Sequence, residues 1–399
     1  MRILFLTHRL PYAPNRGDRI RAYHLLRLLA SRHEVHVVSL IHDEEERQHL
    51  ADLSGVAATV EGAWVSRLRN RMAAVGALSG SRPLTHVLLS SSAFPAAIDR
   101  SVRRARPDVV LAYCTGIAAA VFDSPLAATP CVLDMVDLDS EKWAELAQTS
   151  RGPMKWVYRR EARTLRAFER AAVDRAAATT VVSERERELA ARLLDRCITA
   201  VPNGVDIDYW ARPQGHEVRP DVVFCGVFNY EPNERGAIWL ASEVWPLVKQ
   251  QEPTARLRLV GMKPSAAVRA LADGGSVEVT GAVPDVRPYV WQASAGVAPL
   301  WLARGTQNKV LEALAAGLPC VVTPAVMEGL PPSAQQACVS RSDAAGFAAA
   351  LISMLRRAAG PTERALTSQS VQSLRWESQL APFLTILEDL RANRLTLST

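Results

Sequence analysis

Short apolar runs rich in β-branched residues recur along nearly the whole chain, and stretches of helical periodicity separate them. In the first half the runs lie at 2–8, 34–41, 108–114, 130–136 and 178–184. In the second half they lie at 221–228, 256–262, 277–283, 295–301 and 319–324. Each is close to continuously apolar, where a half-exposed strand would alternate. This is the pattern of parallel strands covered on both faces. Between the runs, 18–31, 184–195, 235–250, 285–293 and 308–316 carry amphipathic spacing. Strand–helix repetition of this kind implies right-handed βαβ units and open, doubly wound α/β sheets.

The chain has 399 residues, and a single hydrophobic core stops growing at about 250–300 residues, so two domains are expected. A break falls at "VPNGVDIDYWARPQGHEVRP" (201–220), rich in Pro, Gly and polar residues, with a fresh strand directly after it. This predicts two Rossmann-like domains, 1–205 and 206–375. A last helix at 376–394, within the segment 376–399, is free to pack on either. Open α/β sheets bind ligands beyond the C-terminal ends of their strands, so two facing sheets would form a site in the cleft between them.

Apolar residues make up 48% and charged residues 22%, and no stretch reaches the roughly 20 apolar residues that span a bilayer. The start "MRILFLTHRL" reads as a first strand rather than a signal peptide. The cysteines at 114, 131, 197, 225, 320 and 338 lack metal-type spacing, which suits reduced thiols in the cytoplasm. A net charge of +6 points to nucleic acid, an anionic membrane surface or phosphorylated small ligands. With no basic run interleaved with stacking aromatics, nucleic acid is the weakest of the three.

The loop after the first strand, "HRLPYAPNRGDRIRAYHLL", contains one glycine, Gly17, and no G-x-G-x-x-G. No P-loop occurs anywhere. The Asn15–Arg16–Gly17–Asp18 turn lets a ligand approach a helix N-terminus closely, and equally suits a tight turn capped by Asp18. A second candidate is "RGTQNKVLEALAAGLPCVV" (304–322). Gly305 permits close backbone approach, Thr306, Gln307 and Asn308 offer amides at a helix start, and Lys309 adds a point charge suited to phosphate. Glu312 lies one turn later on the same face, where an ionised carboxylate accepts hydrogen bonds from two adjacent hydroxyls. The macrodipole alone also favours a glutamate early in a helix. The pairs "DLD" (137–139) and "DID" (206–208) are thin evidence for a cation, and the expectation is no metal. Asp137, at a strand end, and His8, ending the first strand, are candidate sugar contacts, with capping or packing as the alternative for His8. The arginine-rich stretch 151–170 spaces Trp156, Val157, Leu165 and Phe168 as a helix face, fitting either a helix docked on its own domain or one lying on anionic lipid.

"KVLEALAAGLPCVVT" resembles the donor-binding signature of family 4 glycosyltransferases, which have the GT-B fold. "VVSERER" (181–187), "VPNGVD" (201–206), "LRLVGM" (257–262) and "VEVTGAVPDVRPYV" (277–290) match in the same order, so the resemblance covers essentially the whole chain. "THRLPYAPNRGDRIRAYHLLRLLA", "DMVDLDSEKW" and "ARGTQNKVLEA" look closest to sugar transferases assigned to the PEP-CTERM exopolysaccharide system. The resemblance implies retaining, metal-independent transfer of a sugar from a UDP- or GDP-type nucleotide donor, with no further cofactor, onto an exopolysaccharide or lipid-linked glycan. It places the donor on the second domain and the acceptor on the first. Glu312 would bind the ribose, the Gly281–Val283 turn would flank the base, and Gly305 to Asn308 would face the diphosphate and sugar. Asn203, Gly226 and Asn233 fall on the donor side, and Gly17 would meet the donor phosphates. His8, Arg16 and Asp18 fall on the acceptor side.

The chain departs from the family at two places. Arg304 stands where a glutamate is frequent, and "GVFNYEPNERGAIW" (226–239) lacks the family's Arg and Lys after the first strand of the donor domain. Arg304 and Lys309 are therefore expected to neutralise the leaving diphosphate, with Asp137 as a further catalytic candidate. A sugar-nucleotide epimerase of the same architecture and a catalytically silent sugar-nucleotide binder are the competing readings.

Overall fold

The apolar runs form two parallel sheets. The first contains β1 (Arg2–Thr7), β2 (Glu34–Ile41), β3 (Thr59–Trp64), β4 (Val109–Tyr113), β5 (Cys131–Val136), β6 (Ala178–Val181) and β7 (Thr199–Ala200), in the order β3-β2-β1-β4-β5-β6-β7. The second contains β8 (Asp221–Cys225), β9 (Arg256–Val260), β10 (Val277–Gly281), β11 (Ala295–Ala298), β12 (Cys320–Val322) and β13 (Cys338–Ser340), in the order β10-β9-β8-β11-β12-β13. The computed structural model describes residues 1–14, 17–122, 124–303, 305–357 and 359–396. Every strand pairing among them is parallel. Central strands such as β4 are buried at every position, as their unbroken apolar sequence requires.

The chain divides into two compact units. One is Met1–Pro202 with the chain from Leu380 onward, and the other is Asn203–Gln379. Strand order reverses between β1 and β4 in the first unit and between β8 and β11 in the second. These are the two topological switch points, where connections leave in opposite directions and open a crevice beyond the strand ends.

Two expectations are corrected. The helix predicted at 376–394 is two pieces, Trp376–Gln379 and Ala381–Thr396. Pro382 has no N–H to continue the ladder, and its ring would clash with the carbonyl of Ser378. Trp376 seals the second unit, where a Cβ on Gly204 would fall 2.6 Å from its backbone, while Leu380 and Phe383 are buried in the first. The strands β3, β7 and β13 did not stand out as apolar runs. Each is a sheet edge, and an edge strand is covered less, so its sequence carries less apolar signal. β3 is mostly half-buried or exposed.

A buried ion pair ties the helix Gly17–Ala30 to β5. The guanidinium of Arg21 donates from Nε to Asp134 Oδ2 at 2.8 Å and from Nη2 to Oδ1 at 3.3 Å. The hydroxyl of Thr180 donates to the same Oδ1 at 3.0 Å. The side chains of Arg21 and Asp134 are 1% and 0% exposed, so neither charge has water as a substitute partner. Asp134→Ala removes the carboxylate from a buried ion pair, a loss expected to cost about 3–5 kcal/mol. Chemical denaturation of the variant checks this, and a loss below about 1 kcal/mol, the level of an exposed pair, would contradict it.

Candidate functional site

The switch point between β8 and β11 carries the densest cluster of the sequence-predicted residues. β8 ends at Cys225, and Gly226 turns the chain away, donating its amide to the carbonyl of Val260 at 3.0 Å. A side chain at Gly226 would crowd the amide of Asn233, at 3.1 Å, and Lys309 Nζ, at 3.4 Å. Gly261 takes a φ of +146°, and a Cβ there would fall 1.8 Å from the carbonyl oxygen of Gly226. Glycine is required at 261 because the two backbones touch there, while a side chain at 226 would displace Asn233 and Lys309.

The helix Asn308–Ala315 begins after a loop that follows β11. Gly305 sits at φ +60°. Its carbonyl lies 2.6 Å from where a Cβ on Gly329 would stand, and the Thr306 hydroxyl donates to the Gly329 carbonyl at 3.2 Å. The loop is thus pinned to the segment after β12. At its far end the helix closes in a Schellman motif. Leu318 N–H donates to Ala313 and Gly317 N–H to Leu314, with Gly317 at φ +75°. That closure turns the chain directly into buried β12, which is the role of the Gly-Leu-Pro sequence.

Lys309 in the first turn of this helix donates from Nζ to Asn233 Oδ1 at 2.7 Å and sits 4.9 Å from the centre of the Phe224 ring. Asn233 is itself fixed, its Nδ2 donating to the carbonyl of Val227 at 3.0 Å. Burial lowers the Lys309 ammonium to about 8, with Cys225 and Glu312 opposing the shift. Asn203 Nδ2 donates to Asn308 Oδ1 at 3.1 Å, holding the helix start against the segment that opens the second unit. The backbone amides of Asn308 and Lys309 donate to no acceptor among the described residues, as expected of a helix N-terminus ready for an anion.

Glu312 lies one turn beyond Lys309. Its carboxylate makes no hydrogen bond or ion pair among the described residues, and burial pushes it up to about 7, with Lys309 opposing. The Cys225 thiol, pushed up to about 12 by burial, stays neutral beside them. Sequence reasoning missed the wall next to Glu312. Tyr209 lies under the Arg287 guanidinium, 4.0 Å from its ring centre, and Arg287 is held by Asp285 at 2.7 Å. Burial holds the Tyr209 phenol above its usual value, Arg287 opposing and Glu312 adding to the rise. The signal was present in "VPDVRPYV" and "DIDYW", but only the fold stacks those residues. Gly281 takes φ +69° at the end of β10, and Val283 packs against the core of the second unit.

In the first unit, the His8 ring stacks on Tyr113 at 5.8 Å, and its carbonyl accepts from His42 Nε2 at 2.8 Å. Asp137 follows β5 directly after Val136, which takes φ +66°, and Cys114 after β4 takes φ +70°. A left-handed conformation costs a non-glycine residue of order 1–3 kcal/mol, and such strain concentrates at functional sites. Gly17 opens the helix Gly17–Ala30, and a Cβ there would meet nothing within 4 Å. Arg16, Arg304 and the side chain of Asp18 lie outside the described residues. Among the described residues no three His, Cys, Asp or Glu side chains converge on a metal position. None of the described helices is long and apolar enough to cross a membrane.

The raised Glu312 carboxyl has a consequence for stability. Between the ordinary value of 4.5 and the folded value of about 7, the folded protein holds a proton that the unfolded chain has lost. Stability therefore falls as pH rises through this window. Wild type is expected to lose stability relative to Glu312→Gln over that range and to run parallel to it above pH 7. Melting curves of both proteins across pH read this, and parallel profiles throughout would contradict it.

Two family models match the chain in tandem. A glycosyltransferase 4-like domain matches residues 16–204, and glycosyltransferases group 1 matches residues 219–357. Among curated proteins, none matches by sequence. Solved structures do. Sucrose-phosphate synthase from Thermosynechococcus elongatus superposes with a TM-score of 0.71 at 18% identity, covering 98% of this chain and 100% of that one. HepE from Anabaena, solved in complex with UDP, gives 0.66 at 13% identity, over 98% and 100%. A glycosyltransferase from Rickettsia africae gives 0.65 at 10% identity, over 98% and 99%. The two matched domains, joined to two parallel Rossmann-like sheets each with a switch-point crevice, make the chain a glycosyltransferase of the family 4 type with the GT-B fold.

Proposed function

We propose that the protein transfers a sugar from a nucleotide diphosphate donor to a hydroxyl of an exopolysaccharide or lipid-linked glycan, with retention of configuration and without a metal. The observation that carries this reading is the cation and the free carboxylate one helical turn apart at the β8/β11 switch point. The second unit holds the donor. Glu312 accepts hydrogen bonds from the ribose hydroxyls, and Arg287 on Tyr209 flanks the base beside the Gly281–Val283 turn. The amides of Asn308 and Lys309, with the Lys309 ammonium, receive the diphosphate. The UDP and UDP-glucose bound by HepE favour a UDP-type donor over a GDP-type one.

In the transfer, the bond from the anomeric carbon to the diphosphate oxygen breaks and a bond to the acceptor oxygen forms on the same face. The acceptor proton passes to the departing diphosphate, so no strong protein base is needed. Lys309, together with Arg304, neutralises the charge that develops on the leaving group. Asn233 is a positioning residue, since it fixes the ammonium. The first unit takes the acceptor, with His8, Arg16, Asp18 and Asp137 as its contacts.

The resemblance to PEP-CTERM exopolysaccharide transferases supports this acceptor class, and a cytoplasmic location belongs to the same reading. A peripheral contact with anionic membrane belongs to this reading. The apolar face of 151–170 is only partly free for it, because Leu165 is buried and Phe168 packs on the core while Trp156 stays exposed. The helix Arg67–Gly76 is better suited. Leu68, Met72 and Val75 line one face and are 73%, 67% and 69% exposed, with exposed Arg67, Arg69 and Arg71 beside them. Apolar anchors rimmed by arginines fit an anionic lipid surface.

A melting-temperature screen against UDP, GDP and their sugar conjugates tests the donor assignment, since a ligand bound only by the native state raises the transition. A stabilising nucleotide is expected, and none at all would contradict the proposal. With that donor, Lys309→Ala is expected to cut turnover by roughly a hundredfold or more while its melting temperature without ligand stays at or above that of wild type. An unchanged rate would remove Lys309 from the mechanism.

A further inference from the structure

The first unit carries a second concentration of positive charge that the donor site does not use. The helix Pro153–Arg175 presents Arg159, Arg163, Arg166 and Arg170 to a groove of about 520 Å³. The spacing of four, three and four residues puts all four on one face. Ala162 and Ala167 of the same helix, Ala144, Ala147 and Gln148 of the helix Asp139–Thr149 and Leu193 of the helix Glu184–Leu194 complete the lining, and no carboxylate is among the lining residues. Small walls leave the guanidinium groups room for a ligand.

The four arginines differ in how they are held. Arg166 is anchored by an ion pair with Glu141, and Arg170 donates from Nε to the carbonyl of Leu194 at 3.2 Å. Arg159 and Arg163 are exposed and form no hydrogen bond or ion pair among the described residues. The Nε of Arg166 is buried with no partner among them. Two free guanidinium groups are thus followed by two fixed ones along one wall, with one donor of Arg166 already desolvated and unmet. Glu141 offsets one of the four like charges, and the others repel one another until an anion enters. From Arg159 to Arg170 the stripe runs about 16 Å at the helical rise, too long for a single phosphate. At its N-terminal end the face continues into Trp156, which is 57% exposed.

We propose that this groove is a binding site for a ligand carrying several phosphate groups, gripped bidentately by Arg159 and Arg163 and seated on Arg166 and Arg170. The phosphates come either from a lipid headgroup, with Trp156 against the adjoining apolar part, or from a soluble oligophosphate. The site is separate from the diphosphate site at Lys309 and stands whether or not that assignment holds.

Calorimetric titration with inorganic tripolyphosphate at low ionic strength tests it, in a Lys309→Ala background that disables the other anion site. Binding is expected there. Adding Arg159→Ala and Arg163→Ala should weaken it roughly tenfold or more, with the melting temperature unchanged because both side chains are exposed. Lysines at the same two positions should recover part of the affinity, keeping the charge without the fork. Cosedimentation with phosphatidylglycerol vesicles, phosphatidylcholine being the control, separates the sources. Vesicle binding lost in the same double variant assigns a lipid headgroup. Vesicle binding that survives belongs to the Arg67–Gly76 face and leaves a soluble oligophosphate as the ligand. No binding of tripolyphosphate, or equal binding by the arginine-to-alanine variant, would overturn the proposal.

Discussion

The hydrogen bond from Lys309 to Asn233 organises the donor-side crevice. It brings together the helix Glu231–Trp239 that follows β8 and the start of the helix after β11, the two connections that part at the switch point. The ammonium would otherwise compete for water, yet burial has already lowered it to about 8. Holding a desolvated cation in place before a ligand arrives reduces the reorganisation needed at the reaction step. The close packing of Gly226 and Gly261 follows from the same geometry, since a side chain at Gly226 would push on both partners.

Glu312 complements that cation without being consumed by it. A carboxylate locked in an ion pair would have its lone pairs occupied, whereas this one is left open and pays in a raised proton affinity. Lys309 and Glu312 therefore titrate toward each other, one down to about 8 and the other up to about 7. Near neutral pH both charged forms are accessible, and a ligand with anionic phosphates and paired hydroxyls stabilises both at once.

Much of this was legible in the amino-acid order. Continuous apolar runs located the central strands because burial on both faces leaves no room for polar residues. The edge strands β3, β7 and β13 carried no such mark, since one side meets less of the core. Lys309 and Glu312 could be named because helix geometry is local and residues three apart share a face, and Gly305 because glycine permits close backbone approach. The Asn233 contact spans seventy-six positions in sequence, and the Arg287–Tyr209 stack spans seventy-eight, so no local pattern announced either. The helix at 376–394 was misjudged because its amphipathic spacing continues across a proline that interrupts the backbone ladder. The arginine stripe on Pro153–Arg175 was visible as composition, but only the neighbouring helices turn it into a groove.

The claim that Glu312 grips the ribose is open to direct measurement. Calorimetry of the preferred nucleoside diphosphate and its 2′,3′-dideoxy analogue, each against wild type and Glu312→Ala, isolates the contact as a double-mutant cycle. The account predicts that wild type loses roughly tenfold or more in affinity when the hydroxyls are removed, and that the variant binds the two nucleotides alike. Equal affinity of wild type for both would mean that the carboxylate at the mouth of this crevice holds something other than a ribose.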